Sequence, residues 1–131
     1  MLAATSNPES VATQTAIVNG GEWAGRTVAA SIVDEVNRSN GGQLGSFGVV
    51  IGATVRLGDY GISDSDLART PVLAPGFGHQ GVGYEAVRSI YGGAADNTLV
   101  SSSRTILESG PAGVAEAIRS HVNALAEVYV A

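Results

Sequence analysis

The chain contains no lysine, no cysteine and no apolar run long enough to cross a membrane. Without cysteine it has neither disulfides nor a thiolate metal site, so we expect a reducing, cytoplasmic compartment. A membrane helix needs roughly 18 consecutive apolar residues, so no membrane association is expected. All basic residues are arginines, scattered through a chain of net charge −5, and this pattern argues against nucleic-acid binding.

The length predicts a single domain, residues 1–131, with a sizeable core. Four short apolar segments are predicted to be β-strands, at Leu2–Thr5, Ser46–Ala53, Pro71–Ala74 and Thr98–Val100. The second is rich in β-branched residues and too short for a typical helix, so it predicts a strand buried on both faces.

Helical patterns separate and follow these strands. They cover Ser10–Val18, Thr27–Asn37, Tyr84–Tyr91 and Pro111–Tyr129, the last with apolar residues at Val114, Ile118, Val122 and Leu125. Alternating strands and helices predict an α/β fold with a parallel sheet and right-handed crossovers. The pattern alone does not separate an open, doubly wound sheet from half of a closed (β/α)₈ barrel. A complete barrel needs about 250 residues, so about half of one would be present.

Two polar segments follow the third and fourth strands, where ligands bind in both architectures. In Leu73–Gly81, glycines leave the backbone open to an anion, and Gln80 adds an amide donor. In Asn97–Arg104, three serines precede Arg104, whose guanidinium stays charged and grips two phosphate oxygens at once. The two segments together predict a phosphate site.

Other polar residues carry a weaker signal. Taken alone, Ser6 and Thr54 read as caps at strand or helix ends, His79 as a loop residue and His121 as a helix residue without a site role. We find no paired carboxylates, no metal-ligand cluster and no nucleophile beside a base, so no metal or cofactor is predicted.

In combination, four motifs in this order resemble the C-terminal half of orotidine 5′-phosphate decarboxylase, in the longer subgroup typical of actinobacteria. The motifs are Thr5–Glu9, Gly48–Thr54, Leu73–Gly81 and Ser101–Arg104. The resemblance covers essentially the whole chain and implies strands 5–8 of a (β/α)₈ TIM barrel.

The resemblance also implies roles for individual residues. Ser6 corresponds to a serine that hydrogen-bonds the pyrimidine ring, and Gln80 to a glutamine of a mobile loop that touches the substrate phosphate. Arg104 corresponds to the arginine that binds the same phosphate, with Gly78 and Gly81 as backbone beside it. The implied reaction converts orotidine 5′-phosphate to uridine 5′-phosphate in pyrimidine biosynthesis.

The missing lysine is a departure from this family. The resemblance implies a lysine that protonates C6 of the ring, within a Lys/Asp network after the second and third strands of the barrel. No catalytic residue is therefore expected in this chain, which we expect to be inactive alone. The expected partners are the missing N-terminal half barrel and, by resemblance, a second copy in a homodimer. An apolar segment directly after Met1 suggests a fragment.

Two further hypotheses stay open. The chain could be a non-catalytic half barrel that binds a phosphorylated nucleotide or associates with itself, since an open sheet has exposed edges. It could also come from another phosphate-binding barrel, because the same site serves many reactions.

Overall fold

The computed structural model describes residues 1–130, and it contains one four-stranded sheet. All strands are parallel, and they are hydrogen-bonded in the order in which they occur in the chain. The strands are β1 (Leu2–Ala4), β2 (Val49–Ile51), β3 (Val72–Pro75) and β4 (Thr98–Ser101). Sequential parallel order is the arrangement found in a barrel wall, and the predicted α/β class with parallel strands is confirmed.

Within residues 1–130, five α-helices follow the strands or connect them. They are α1 (Val11–Gln14), α2 (Val28–Ser39), α3 (Val87–Tyr91), α4 (Ser103–Leu107) and α5 (Gly110–Val130). Short 3₁₀ helices cover Pro8–Ser10, Leu57–Tyr60, Ser65–Leu67, Tyr84–Ala86 and Gly92–Asn97.

The core lies between one face of the sheet and the helices. Helix α2 begins where the Thr27 side chain accepts a hydrogen bond from the Ala30 N–H, and it buries Val33 and Val36 against the sheet. From the sheet itself, Val49, Ile51 and Val72 are buried on this face. Alternation along each strand directs the neighbouring side chains to the opposite face.

That opposite face is apolar and open. Leu2, Leu73 and Leu99 are 58%, 44% and 66% exposed, and Met1 lies beside them. The expectation that the second strand is buried on both faces is therefore wrong for residues 1–130, because helices cover only one side of this sheet. In a complete barrel the corresponding inner face is filled by side chains from all eight strands.

Two helices differ from the sequence prediction, and a third matches it in extent. Helix α1 spans only four residues instead of the predicted nine, because the chain turns into an irregular segment after Gln14. Helix α4 was not predicted, although it includes Arg104. Helix α5 matches the prediction, yet Ile118 and Val122 on its apolar stripe are 46% and 60% exposed.

Candidate functional site

The loop after β3, residues 76–82, forms the centre of the site and is called the glycine loop below. Gly76, Gly78 and Gly81 have φ angles of 113°, 77° and 81°, a region that side chains with a Cβ rarely adopt. Phe77 between them is 1% exposed and fixes the loop to the core. The loop closes through hydrogen bonds from Gly78 N–H to Val82 O (2.8 Å) and from Gly81 N–H to Gly78 O (2.9 Å).

These hydrogen bonds determine whether the glycine N–H groups are available to a ligand. The N–H groups of Gly78 and Gly81 donate within the loop, so in this structure both residues shape the loop instead of offering free donors. Gly76 makes room for Gln80, because a Cβ at Gly76 would lie 2.7 Å from Gln80 Oε1. The loop therefore directs a side-chain amide across its own backbone.

The glycine loop and the end of β4 enclose a pocket of about 170 Å³. A pocket of this size is large enough for ordered water or a small anionic group. The lining residues are Pro75, Gly76, Phe77, His79, Gln80, Ser101, Ser103 and Arg104. The structure thus brings together Gln80 and Arg104, the two side chains that the sequence predicted to meet at a phosphate.

The charge of Arg104 has no partner within residues 1–130. Five of the seven arginines form an ion pair or hydrogen-bond a backbone carbonyl, whereas Arg56 and Arg104 do neither. Arg104 lies in the first turn of α4, immediately after the strand that carries it to this edge of the sheet. An exposed, unpaired guanidinium beside an amide is an arrangement that binds a phosphate or carboxylate.

Ser6 lies elsewhere on the same edge. It is exposed and lines a second pocket of about 250 Å³ between the ends of β1 and β2. Thr54, Arg56 and Asp59 line the same pocket, so Arg56, the other unpaired arginine, accompanies Ser6. The structure therefore places the residues predicted for the ring and those predicted for the phosphate in two separate pockets.

Contacts around the glycine loop include residues that sequence reasoning did not assign to the site. The ring of Phe77 stacks on Tyr84 at 5.9 Å, and the Tyr84 hydroxyl lies 2.6 Å from His121 Nδ1. His79 lies 3.4 Å from a Glu108 carboxylate oxygen, so both histidines of the chain connect the loop region to the C-terminal helices. No sequence signal identifies these pairs, because helical spacing does not say which face of α5 meets a distant loop.

The segment after β4 also packs on the glycine loop. Ser102 Oγ donates to the Phe77 carbonyl at 3.2 Å. Thr105 Oγ1 is buried without a hydrogen-bond partner, and it would lie 2.7 Å from a Cβ placed on Gly78. The loop and the first turn of α4 therefore form one closely packed unit.

The part of the chain that the structure describes shows no sign of two other kinds of site. No three His, Asp or Glu side chains there are grouped so as to hold a metal ion. None of the helices formed by residues 1–130 combines the length and apolar character needed to span a membrane.

The chain is similar to several proteins named orotidine 5′-phosphate decarboxylase. The chain is 43% identical over 115 residues to the orotidine 5′-phosphate decarboxylase of Salinispora arenicola, a match that covers 85% of this chain and 38% of that protein. It is 47% identical over 110 residues to the decarboxylase of a Nocardioides species, covering 82% of this chain and 38% of the relative. The Streptomyces coelicolor enzyme is 41% identical over 114 residues, with 85% and 38% covered. No protein-family model matches the chain.

A solved structure gives the same result. The chain superposes with a TM-score of 0.85 and 32% identity on a Streptomyces avermitilis structure named for orotidine 5′-phosphate decarboxylase. The match covers 99% of this chain and 45% of that one. The chain thus spans about two fifths of the length of the curated relatives that it matches. Sequence and structure agree that the chain is homologous to the C-terminal part of the orotidine 5′-phosphate decarboxylases, as its four motifs predicted.

Proposed function

We propose that this chain supplies the phosphate-binding side of an orotidine 5′-phosphate decarboxylase active site. The reaction breaks the bond between C6 of the pyrimidine and its carboxylate, releases carbon dioxide and adds a proton at C6 to give uridine 5′-phosphate. The observation that carries the proposal is the unpaired Arg104, which shares a pocket with Gln80 at the carboxyl edge of the sheet.

The phosphate group is the part of the substrate that this pocket suits. The positively charged guanidinium of Arg104 can donate hydrogen bonds to two phosphate oxygens, and the side-chain amide of Gln80 can donate another. In this family's implied mechanism, phosphate binding at a distance from the ring contributes to catalysis through loop closure. Gln80 is exposed on the glycine loop, which is compatible with contact to a bound phosphate.

The ring is assigned to the other pocket on this edge. Ser6 is proposed to hydrogen-bond the pyrimidine, and the 250 Å³ pocket around it offers further hydroxyl groups from Thr5 and Thr54. Removing the Ser6 hydroxyl should weaken binding of a uridine nucleotide and leave inorganic phosphate binding unchanged. Equal weakening of both ligands by Ser6→Ala would contradict the assignment.

The chemical step needs residues that this chain does not contain. A proton donor for C6 is implied to be a lysine, and the chain has none. We propose that a second half barrel, of the kind that makes up the rest of the relatives' length, carries this lysine. The open apolar face formed by Leu2, Leu73 and Leu99 is the surface that such a half would cover.

Calorimetric titration with uridine 5′-phosphate tests the phosphate assignment. Arg104→Ala should weaken binding about tenfold, the lower end for hydrogen bonds to charged groups, because Arg104 is exposed and partly screened by solvent. Arg119→Ala is the matched control, since Arg119 is an exposed arginine on α5 whose one ion pair within residues 1–130 is with Glu116.

Three results would count against the proposal. They are absence of nucleotide binding by the parent chain, equal affinity of the Arg104 and Arg119 variants, and equal affinity of the parent for uridine and for its 5′-phosphate. The last comparison isolates the phosphate, because the two ligands differ only in that group.

A second candidate function is a half barrel that binds a nucleotide without catalysis or pairs with a copy of itself. The open apolar face favours it, because a sheet with three leucines 44–66% exposed buries more apolar surface when it associates. Light scattering tests whether the chain associates with itself. A concentration-dependent dimer supports self-association, and a monomer at all concentrations contradicts it.

A further inference from the structure

A chain of three aromatic rings connects the pocket to helix α5. Phe77 lines the pocket, and its ring stacks on Tyr84 with 5.9 Å between centroids and 26° between planes. Tyr84 meets His121 edge-on at 5.6 Å, and a 2.6 Å hydrogen bond joins the Tyr84 hydroxyl to His121 Nδ1. Neither Tyr84 nor His121 lines the pocket.

Phe77 connects this chain of rings to the two segments that carry Gln80 and Arg104. It lies three residues before Gln80 in the glycine loop, and its carbonyl accepts the hydrogen bond from Ser102, two residues before Arg104. Because the Phe77 side chain is 1% exposed, a shift of its ring moves the loop backbone. The separation of Gln80 from Arg104 therefore depends on where Tyr84 holds Phe77.

The hydrogen bond fixes Tyr84 from the side opposite Phe77. Tyr84 begins the 3₁₀ helix Tyr84–Ala86, which directly follows the glycine loop, and His121 lies near the middle of α5. Within residues 1–130, the bond to His121 is the side-chain hydrogen bond that Tyr84 makes. Without it, stacking alone would define the orientation of the tyrosine ring.

We infer that Tyr84 and His121 are positioning residues that hold the glycine loop where Gln80 faces Arg104 across the phosphate pocket. The inference rests on the proposed function, and it adds that the last helix contributes to phosphate affinity without touching the ligand.

Removal of single polar groups tests this role. Tyr84→Phe keeps the ring stack and removes the hydroxyl, and it should weaken uridine 5′-phosphate binding about three- to tenfold, as expected for one hydrogen bond. His121→Ala should have the same effect, whereas His121→Asn should restore most of the affinity, because its side chain can take the place of Nδ1 in the bond.

Tyr129→Phe is the matched control. It removes another tyrosine hydroxyl bond of the same helix, from Tyr129 to the Ala95 carbonyl at 2.9 Å, away from the glycine loop. We expect it to lower the resistance to denaturant as Tyr84→Phe does, while leaving nucleotide affinity unchanged. Equal nucleotide affinities of the Tyr84 and Tyr129 variants would overturn the inference.

A measurement without nucleotide separates this inference from the proposed function. The side-chain amide resonances of Gln80 should shift in Tyr84→Phe and His121→Ala and remain in place in Tyr129→Phe. Unshifted Gln80 resonances in both would overturn the positioning role, even if Arg104→Ala still weakens nucleotide binding. Shifted resonances in a chain that binds no nucleotide would support the mechanical link and count against the proposed function.

Discussion

Among single residues, the pairing of the arginines distinguishes structural charges from those available to a ligand. Arg26 contacts Asp34 at 2.7 Å, and this hydrogen bond raises the pKa of Arg26, so its charge is committed to the fold. Arg104 has no such partner within residues 1–130 and lines the pocket with Gln80. Both residues of this pair were predicted from sequence, because polar residues after parallel strands meet at one edge.

Residues whose role depends on tertiary contact were not predicted. His121 was interpreted as a helix residue without a site role, yet it hydrogen-bonds Tyr84 behind the glycine loop. The predicted role of Ser6 stays a prediction, and the structure places it in a pocket apart from Arg104. Sequence indicates which residues end a strand, but not how far apart two strand ends are.

Gly78 and Gly81 form a matched pair for testing the glycine loop. Both have positive φ, so alanine at either position should cost about 1–2 kcal/mol in backbone strain. At Gly78 the new Cβ would also lie 2.7 Å from Thr105 Oγ1, whereas at Gly81 nothing lies within 4 Å. We therefore expect Gly78→Ala to destabilise the chain more than Gly81→Ala in urea unfolding. Equal losses would show that the loop does not pack on α4 as described.

Because of the buried Tyr91 hydroxyl, we expect the free energy of unfolding to fall at alkaline pH. Burial raises the pKa of its hydroxyl well above the ordinary value of 10, and the hydroxyl donates to the Ile51 carbonyl at 2.9 Å. Because the folded pKa exceeds the unfolded one, this contribution is complete below about pH 10 and is lost as the pH rises further.

Tyr91→Phe should cost about 0.5–1.5 kcal/mol near neutral pH, for one lost hydrogen bond. Its free energy of unfolding should also fall less than that of the parent between about pH 8 and about pH 11. Urea unfolding at the two pH values checks both effects. Parallel losses in parent and variant would exclude Tyr91 as a source of the alkaline instability.

Among secondary-structure elements, the strands were easier to predict than the short helices. Each predicted strand overlaps an observed one, because an apolar run that ends at glycine or polar residues is a strong local signal. Helix α4 was not predicted, because Ser101–Arg104 has the composition of a polar turn. The packing of the helix on the glycine loop is a tertiary contact that the local sequence does not show.

Helix α5 is held mainly by its C-terminal half. Leu125, Val128 and Tyr129 pack against the core, whereas Ile118 and Val122 remain largely exposed. In the sequence, apolar residues recur at helical spacing from Val114 to Leu125. A helix with an exposed apolar segment of this kind is typical of a surface that another element covers.

Polar substitution on α5 tests this view. In the chain alone, Ile118→Gln should change the free energy of unfolding by no more than about 0.5 kcal/mol, as at other surface positions. The buried Val33→Ala is the reference, with an expected loss of about 2 kcal/mol from two methyl groups and a cavity. A large loss for Ile118→Gln in urea unfolding would mean that the first half of α5 is packed in solution.

For the whole molecule, the main feature is the open apolar face of the sheet, on the side opposite the helices. Sequence analysis predicted the parallel strands, because they follow from alternating strands and helices, and the structure confirms them. The edge of the sheet that should bind ligands stays a prediction. Sequence analysis did not predict that Leu73 and Leu99 are exposed, because a run of apolar residues implies two covered faces and does not indicate what covers them. The open face and the relatives' greater length both support the proposal that a second half barrel covers this side of the sheet.

The most direct measurement is turnover of orotidine 5′-phosphate by this chain mixed with the N-terminal part of the Nocardioides relative, followed by ultraviolet absorbance. We expect turnover by the mixture, none by either part alone, and a KM about tenfold higher when the chain carries Arg104→Ala. A mixture that assembles without activity, or one in which Arg104→Ala leaves KM unchanged, would contradict the proposal that this chain provides the phosphate site of a decarboxylase.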